Sequence, residues 1–200
     1  MKIGSSKLEE KDPFVLFDKW FKLASKHEIS DPNAMSLSTS NLNSFPNVRI
    51  VLMKKFDKDG LVFFSNSRSK KGREIESNSK VAVCFHWKSL EKQVRLKGKI
   101  KRITDIESDH YFSSRDRNSQ IGAWASLQSK KLSKRSELEK RYNEISVKYK
   151  NKEIPRPSHW CGYIIKASSI EFWDNRAYRL HERLLFEEKK GKWISCNLFP

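Results

Sequence analysis

The chain has 200 residues, with 41 lysines and arginines against 24 aspartates and glutamates, which gives a formal net charge of +17 at pH 7. Its hydrophobic content of 37% and aromatic content of 12% are enough for a packed core and argue against wholesale disorder. No run approaches the ~18 apolar residues of a membrane span, and three dispersed cysteines without C-x-x-C spacing argue against a disulfide framework or zinc site. We therefore expect one cytoplasmic domain over residues 12–200, a flexible segment over residues 1–11, and no metal.

The N-terminal half of the chain reads as one helix followed by short strands. Asp12 and Pro13 are a typical N-cap and first helical residue, and apolar residues recur at helical spacing up to Lys26. The elements predicted next are strands over residues 35–39, 48–56 and 61–66, a polar helix over 69–77, and strands over 81–87 and 93–103. The turn at residues 57–60 makes the second and third strands a hairpin.

The C-terminal half begins with helices and ends with strands. Thr104 and Glu107 fit the capping-box pattern and open a helix that continues through Phe112. Further helices are predicted over residues 118–126 and 133–149, then strands over 160–167, 170–173, 178–187 and 193–198. Because the strands are short and hairpin-linked, we predict an α+β fold whose sheet is mainly antiparallel and able to close into a small barrel. The sequence has no internal repeat, G-x-G-x-x-G run or Walker loop.

The run from Arg179 to Arg183 carries the most informative pattern. Read as a strand, it places Arg179, His181 and Arg183 on one face. Three cationic or proton-carrying groups side by side repel one another, so such a face is stable only if it is solvated or holds an anion or an electron-rich ring. Trp173, at hairpin distance, offers a flat apolar surface for that ring. The pattern indicates a binding site.

Two further groups of residues are typical of anion sites. Arg49 and Lys54 lie near the ends of one predicted strand, and Ser65, Ser69, Lys70 and Lys71 follow at the start of a helix, where amide donors favour an anion. Tyr111, Arg115 and Ser119 recur every four residues, hence on one helix face, and with a lysine such as Lys54 they suit a phosphate monoester. Each group taken alone is better interpreted as a solvated surface, and it is their combination that favours anion sites. Gln93, Gln128 and Ser129 could hydrogen-bond the edge of a heterocycle, whereas Trp124, Trp160 and Trp193 are interpreted as core residues.

Together these residues resemble the pyridoxamine 5'-phosphate oxidase family, the flavin enzymes that make pyridoxal 5'-phosphate. The resemblance extends from about Asp12 to Pro200. Its most specific part is Ile170-Glu171-Phe172-Trp173 followed by Arg179-Leu180-His181-Glu182-Arg183. The runs Arg49 to Lys54, Leu90 to Val94 and Ser119 to Trp124 match as well.

The resemblance implies an FMN-binding split barrel with peripheral helices, and a homodimer with one FMN per site across the subunit interface. It implies that FMN is held by Arg49, Ile50, Val51, Leu52, Lys54, Phe64, Ser65, Lys70, Lys71, Gln93, Gln128, Ser129, Trp173 and Arg183. It implies that Lys54, Tyr111, Arg115 and Ser119 hold the substrate phosphate, while Arg179 and His181 bind the substrate ring as catalytic residues. The implied reaction converts pyridoxamine or pyridoxine 5'-phosphate to pyridoxal 5'-phosphate, with molecular oxygen as acceptor and release of hydrogen peroxide.

The chain departs from the family pattern at four positions. Lys70 stands where arginine is usual, Cys161 replaces a glycine, Asp174 replaces a neutral residue or histidine, and Asn197 replaces an arginine. The alternatives left open are another split-barrel flavin reductase or oxidase with a different substrate, a non-catalytic vitamer-binding protein, and a protein that binds nucleic acid through its positive charge. We expect neither a membrane partner nor a specific nucleic-acid partner.

Overall fold

The computed structural model describes residues 10–43 and 45–200, so the predicted flexible segment lies almost entirely outside it. The strands are β1 Ala34–Thr39, β2 Asn47–Leu52, β3 Lys55–Asp57, β4 Gly60–Asn66, β5 Lys80–Trp87, β6 Lys92–Arg102, β7 Trp160–Asp174, β8 Glu182–Lys189 and β9 Lys192–Leu198. The helices are α1 Pro13–His27, α2 Lys70–Ser77, α3 Asp105–Ser113, α4 Arg117–Ala125 and α5 Arg135–Lys148. None of these helices is long and apolar enough to cross a membrane.

The strands form one curled sheet with the order β2-β1-β5-β6-β7-β4-β3, to which β8 is added on β7 and β9 on β8. Every pair in it is antiparallel. The long strand β7 pairs with β6 on one side and, on the other, with β4 in its first part and β8 in its last part. The structure confirms the predicted α+β class and the mainly antiparallel sheet.

The main core lies between the sheet and helix α1. Asp12 caps this helix by accepting hydrogen bonds from the backbone N–H groups of the first turn, and the helix buries its apolar stripe against the sheet. The Phe17 ring lies 4.4 Å from the Phe56 ring and 5.3 Å from the Phe85 ring, measured between centroids. A second, smaller core of Phe112, Ile121, Ile154 and Trp160 lies under α3 and α4. These two cores fix the elements that surround the candidate site.

Three strand predictions need correction. The predicted strand 48–56 is two strands, because the chain changes partner at its middle: the Met53 N–H donates to Asn33 O and the Lys54 N–H donates to Val62 O. The strands predicted over 160–167 and 170–173 are one continuous strand, β7. Residues 178–181, predicted to begin a strand, instead precede β8 in a tight turn.

The turn before β8 overturns the predicted cationic face. Arg179 has a left-handed backbone with φ 60°, so it cannot alternate in a strand with His181 and Arg183. Of these three residues, Arg183 alone lies in β8. The hypothesis that all three share one strand face is therefore wrong, although the three residues remain close in sequence to one another and to Trp173.

Candidate active site

A cavity of about 660 Å³ opens between β2, β4 and the helices α2, α3 and α4. Many of the residues predicted from the sequence line it: Arg49, Ile50, Val51, Leu52, Lys54, Phe64, Ser65, Lys71, Tyr111, Arg115, Ser119 and Gln128. These residues lie in six separate segments of the chain, at positions 49–54, 64–65, 71, 111–115, 119 and 128. The fold therefore brings both predicted anion-binding groups to one cavity.

The first group centres on Lys71 at the start of α2. Its side chain is buried, with Nζ 3.3 Å from Ser69 Oγ and 3.0 Å from Gln128 Oε1. Burial, together with the nearby Arg49 charge, lowers the pKa of Lys71 to about 8. Ser69 also caps α2, since its Oγ accepts the Gly72 N–H. A buried cation beside a helix N-terminus, with hydroxyl and amide partners but no carboxylate among these contacts, favours an anion.

Arg49 lies beside Lys71 and is held in place by protein acceptors. Its Nη1 donates to Leu37 O and Thr39 Oγ1, and its Nη2 lies 3.3 Å from Glu74 Oε2. Glu74 is buried on α2, so the contact joins the helix to strand β2. The guanidinium is thereby fixed at the cavity wall before any ligand arrives.

The second group centres on Arg115, between α3 and α4. Its Nη1 is buried and has no hydrogen-bond partner among the described residues, and its guanidinium carbon lies 4.9 Å from the Trp160 ring centroid. Burial lowers the pKa of Arg115, and the neighbouring Tyr111 and Asp116 offset this effect only in part. Ser119 lies on α4 at the same cavity. An incoming phosphate would satisfy the orphaned guanidinium N–H.

Tyr111 is oriented by a stack of aromatic rings. It lies 4.0 Å from the Phe64 ring at an interplanar angle of 9°, and Phe64 in turn lies 5.0 Å from the Trp160 ring at 10°. The Lys54 Nζ is 5.9 Å from the Tyr111 ring centroid. Aromatic stacking of this kind limits the freedom of the tyrosine and places its hydroxyl near the cationic residues.

Two residues of the cavity wall were missed by the sequence analysis. Trp160 was interpreted as a core residue; it is buried in the second core, yet it also lines the cavity beneath Arg115. No local pattern distinguishes those two roles for a tryptophan. Asp116 also lines the cavity and caps α4 by accepting the Ser119 N–H at 2.9 Å. Its three-residue spacing from Ser119 could have identified it as a cap.

Another set of predicted residues lies away from this cavity, on β6, β7 and β8. Gln93 is the cross-strand partner of Trp173, and Trp173 is the partner of Arg183, so the three form one row across the sheet. The His181 ring lies 4.6 Å from the Trp173 ring. Arg183 is engaged within the chain, with Nε 2.9 Å from Glu171 Oε1 and Nη1 2.9 Å from Phe199 O. None of these four side chains lines the cavity of its own chain.

Three remaining predicted residues are exposed and likewise outside the cavity lining. Lys70 donates to Asn47 Oδ1 at 2.8 Å. Ser129 follows Gln128 with a left-handed backbone, φ 70°. Arg179 lies in the turn before β8. The cofactor- and substrate-binding roles of all these residues stay predictions.

The cavity residues fit a phosphate-bearing flavin together with a phosphate-bearing substrate. The buried Lys71 ammonium and the Arg115 guanidinium, whose Nη1 has no hydrogen-bond partner among the described residues, are separate cationic groups on one cavity wall. Asp116, which also lines the cavity, attracts the Arg115 charge without forming a hydrogen bond to that Nη1. The part of the chain that the structure describes holds no cluster of three histidine, cysteine, aspartate or glutamate side chains that could bind a metal.

Comparison with known proteins identifies two family regions in the chain. Residues 22–149 match the model of the pyridoxamine 5'-phosphate oxidase family, and residues 160–200 match the pyridoxine 5'-phosphate oxidase C-terminal dimerisation region. The pyridoxine/pyridoxamine 5'-phosphate oxidase of Caulobacter vibrioides is 50% identical over 96% of this chain and 87% of its own length. The Agrobacterium fabrum protein of that name is also 50% identical, over 96% of this chain and 94% of its own.

Solved structures show the same fold. PhzG from Burkholderia lata, solved in complex with tetrahydrophenazine-1-carboxylic acid, has a TM-score of 0.90 at 25% identity and covers 96% of this chain and 95% of its own. A pyridoxamine 5'-phosphate oxidase-related, FMN-binding protein from Nostoc punctiforme has a TM-score of 0.76 at 14% identity, over 96% of this chain and 100% of its own. These matches confirm the predicted split-barrel fold, and the relatives confirm FMN as the cofactor. The chain belongs to the pyridoxamine 5'-phosphate oxidase family of FMN-dependent oxidoreductases.

Proposed function

We propose that this protein oxidises pyridoxamine and pyridoxine 5'-phosphate to pyridoxal 5'-phosphate, with molecular oxygen as the final acceptor and hydrogen peroxide as a product. With the amine substrate, the reaction also consumes one water and releases ammonia. The observation that carries the proposal is the presence of two separate cationic groups in one cavity. The group around Lys71 and Arg49 suits the phosphate of FMN. The group around Arg115, with Lys54 and Tyr111, suits the phosphate of the substrate. A substrate without a phosphate would leave the buried Arg115 N–H unsatisfied.

FMN, when bound, supplies the two-electron acceptor for the oxidation and passes the electrons on to oxygen. The chain supplies binding and orientation. Ser65, Gln128 and Lys71 bind at the phosphate end of the cofactor, and the row of Gln93, Trp173 and Arg183 contacts its ring system. Arg179 and His181 hold the pyridine ring of the substrate, so that its reacting carbon stays close to the cofactor.

The site is completed by a second copy of the chain. Within one chain the row on β6–β8 does not reach the cavity, so both sets can serve one ligand only if they come from different subunits. The outer face of β2 exposes Val48, Ile50 and Leu52 to 69%, 61% and 39%. Cross-strand partners connect Ile50 on β2, through one residue each on β1 and β5, to Arg95 on β6. Because Arg95 is two residues from Gln93, its side chain is on the same face of β6 as that of Gln93. The exposed apolar stripe of β2 and the row on β6–β8 therefore share one face of the sheet.

That shared face, together with the match of residues 160–200 to a dimerisation region, supports a homodimer with FMN at its interface. Burial of the apolar stripe would supply the hydrophobic contribution to association. Each dimer would then contain two equivalent sites, related by the two-fold axis.

The visible spectrum of the purified protein tests the proposal. We expect a yellow protein whose flavin absorption bleaches on anaerobic addition of pyridoxine 5'-phosphate. When oxygen is admitted, the colour should return and hydrogen peroxide should be formed. Pyridoxine without the phosphate is the matched control and should bleach the protein far more slowly. Equal rates with both compounds would contradict the role of Arg115, and a colourless protein with steeply salt-dependent DNA affinity would contradict the enzymatic function altogether.

The complex of PhzG defines the alternative that this experiment must separate. Its ligand is an aromatic carboxylic acid, so a protein that oxidised such a compound and left pyridoxine 5'-phosphate unchanged would be a split-barrel oxidase with a different substrate. Tight binding of pyridoxine 5'-phosphate without bleaching or peroxide would indicate a vitamer-binding protein instead.

A further inference from the structure

We propose that Arg176 is a positioning residue, which holds the turn over residues 175–181 in the shape that presents Arg179 and His181. The proposal rests on the roles given above to those two residues. It concerns a residue that does not line the cavity and that the sequence analysis did not identify. Three features of the structure carry it.

The first feature is a pair of carboxylates at the neck of the turn. Asp174 and Glu182 are cross-strand partners at the end of the β7–β8 pair, and like charges directly opposite each other are destabilising. The Arg176 Nη2 lies between them, 2.9 Å from Asp174 Oδ2 and 3.1 Å from Glu182 Oε2. Its guanidinium therefore replaces a repulsion by two ion pairs and ties the two ends of the turn together.

The pairing also accounts for one departure from the family pattern. Asp174 stands where a neutral residue or histidine is usual, and it is only 6% exposed. Its second oxygen, Oδ1, accepts from Lys92 Nζ at 2.6 Å, and the same Nζ lies 4.6 Å from the Trp20 ring. The buried carboxylate is thus compensated from two sides, and the chain of charges anchors Arg176 to β6 and to helix α1.

The second feature is strain in the turn that Arg176 closes. Tyr178 and Arg179 both have left-handed backbones, with φ 59° and 60°. Two consecutive non-glycine residues in this region are costly, and they persist only where the surroundings over-determine the conformation. Inside the turn, the Leu180 N–H donates to Ala177 O at 3.1 Å. The bridge at the neck is the second constraint that keeps Arg179 in this conformation.

The third feature is the contact between the Arg176 main chain and the His181 ring. The Arg176 N–H donates to His181 Nδ1 at 3.3 Å. Because Nδ1 accepts this hydrogen bond, the neutral ring carries its proton at Nε2 and offers Nε2–H as a donor. The ring is held on its other side by Trp173. Arg176 therefore sets the backbone of one proposed catalytic residue and the tautomer of the other.

The variant Arg176→Ala tests the proposal on the FMN-loaded enzyme. We expect its turnover with pyridoxine 5'-phosphate to fall about 10-fold to 100-fold, since a misplacement of about 1 Å can cost this much. Its Kd for FMN, measured by quenching of flavin fluorescence on binding to the apoenzyme, should stay within about twofold, because Arg176 is not among the residues assigned to FMN and does not line the cavity. Free guanidinium should restore part of the turnover by bridging Asp174 and Glu182.

The matched control is Arg135→Ala, which removes an exposed ion pair with Glu139 on helix α5. It should change neither turnover nor FMN affinity, with or without guanidinium. If Arg176→Ala fails to fold, Glu182→Gln carries the test, because it removes one end of the bridge at a partly exposed side chain. Wild-type turnover in either folded variant would overturn the proposal. A lower turnover that guanidinium does not restore, accompanied by a weaker affinity for FMN, would overturn it as well.

Nuclear magnetic resonance of the ring nitrogens separates this inference from the proposed function. With histidine labelled by nitrogen-15 at alkaline pH, the wild-type His181 signal should be that of the Nε2–H tautomer, assigned by its absence in His181→Gln. Arg176→Ala keeps the main-chain N–H, but loss of the ion-pair bridge should let the turn move this donor away from the His181 ring. The signal should therefore move toward a mixture of tautomers. This result stands even if the wild-type protein oxidises some other substrate. An unchanged His181 signal would overturn the positioning role whatever the substrate proves to be.

Discussion

At the scale of single residues, Lys71 determines how the cavity receives an anion. Its ammonium group is buried next to Arg49, and this environment lowers its pKa to about 8. A lowered pKa means that the cavity without ligand disfavours the charged form. An anionic phosphate reverses that preference, because it stabilises the ammonium. With the FMN phosphate at Lys71, as proposed, binding of the cofactor and protonation of Lys71 would be linked.

The linkage predicts a pH-dependent affinity for FMN. Below about pH 8 the Lys71 amine is already protonated, so binding of the phosphate takes up few protons from solvent. Above this pH, binding of each phosphate is coupled to the uptake of one proton by the amine. We expect the Kd of the apoenzyme for FMN to be flat below this pH and to rise about tenfold per pH unit above it. The measurement is a fluorescence titration at a series of pH values. Lys71→Gln should weaken binding and abolish the dependence, whereas Lys70→Gln, at an exposed neighbour, should retain it.

Arg115 gives a second prediction at this scale. Its Nη1 is buried without a partner, so the free enzyme bears a cost that the substrate phosphate relieves. Replacement by methionine, which is apolar and unbranched, should leave the melting temperature of the ligand-free protein unchanged or raise it. The same variant should raise the KM for pyridoxine 5'-phosphate by about 10-fold to 100-fold, as expected for loss of a charged hydrogen bond. A KM close to that of the wild type would show that the phosphate binds elsewhere.

At the scale of secondary structure, one glycine permits the close approach of β6 and β7 at an irregularity in their pairing. The register between these strands shifts at Lys97 and Gly98, where a Cβ added to Gly98 would lie 2.2 Å from Lys166 O. This irregularity allows β7 to continue as one long strand that pairs with β4 at one end and β8 at the other. The positions of Trp173 and of the turn before β8 depend on it.

We expect Gly98→Ala to lower the free energy of unfolding by at least about 1–3 kcal/mol, because backbone and not a flexible side chain must move. The measurement is chemical denaturation followed by tryptophan fluorescence. Gly122→Ala is the matched control: it lies within helix α4, and an added Cβ there would meet no atom within 4 Å. That variant should be neutral or stabilised by up to about 1 kcal/mol, the usual difference in helix propensity. Equal stability of the two variants would contradict the close approach.

Secondary structure is also the level at which sequence reasoning was most and least successful. The helices follow from caps and apolar spacing, as at Asp12 and Thr104, since these are local interactions. The run 178–181 was predicted as strand because its residues alternate, yet the two left-handed residues in it depend on an ion-pair bridge that periodicity does not encode. The break at Met53 likewise depends on which strand lies opposite.

The candidate site, too, is predicted from the sequence only in part. Family resemblance, carried by runs such as Arg179 to Arg183, predicts most of the cavity-lining residues, but not Asp116 and Trp160. It could not separate the residues that share one cavity from those on β6–β8, because that division depends on the curvature of the sheet. Trp160 was taken for a core residue alone, since burial and site lining are not exclusive for so large a ring.

At the scale of the whole molecule, the proposed sharing of each site between two subunits explains an apparent inconsistency. One chain carries in a cavity the two groups that are proposed to bind phosphate, and it carries the proposed ring-binding residues on a part of the sheet that does not line this cavity. The outer face that bears those residues also exposes Ile50 and its apolar neighbours. Pairing of two such faces would bury the stripe and bring the turn of one subunit to the cavity of the other.

Mixing of two inactive variants tests this arrangement directly. Arg115→Ala disables the cavity and Arg179→Ala disables the turn, so each homodimer should be nearly inactive. In a mixed dimer one site combines both defects, but the other combines the intact cavity of one chain with the intact turn of its partner. Random pairing makes about half of the dimers mixed, so co-expression should recover about a quarter of the wild-type activity.

The same experiment excludes a site built within one subunit. If cavity and turn of a single chain served one another, every site in the mixture would carry one defect, and activity would stay at the level of the two parent variants. The control replaces Val48, the most exposed residue of the apolar stripe, by aspartate in both chains. A charge there should prevent burial of the stripe, so that the protein is a folded monomer by light scattering and the recovered activity disappears.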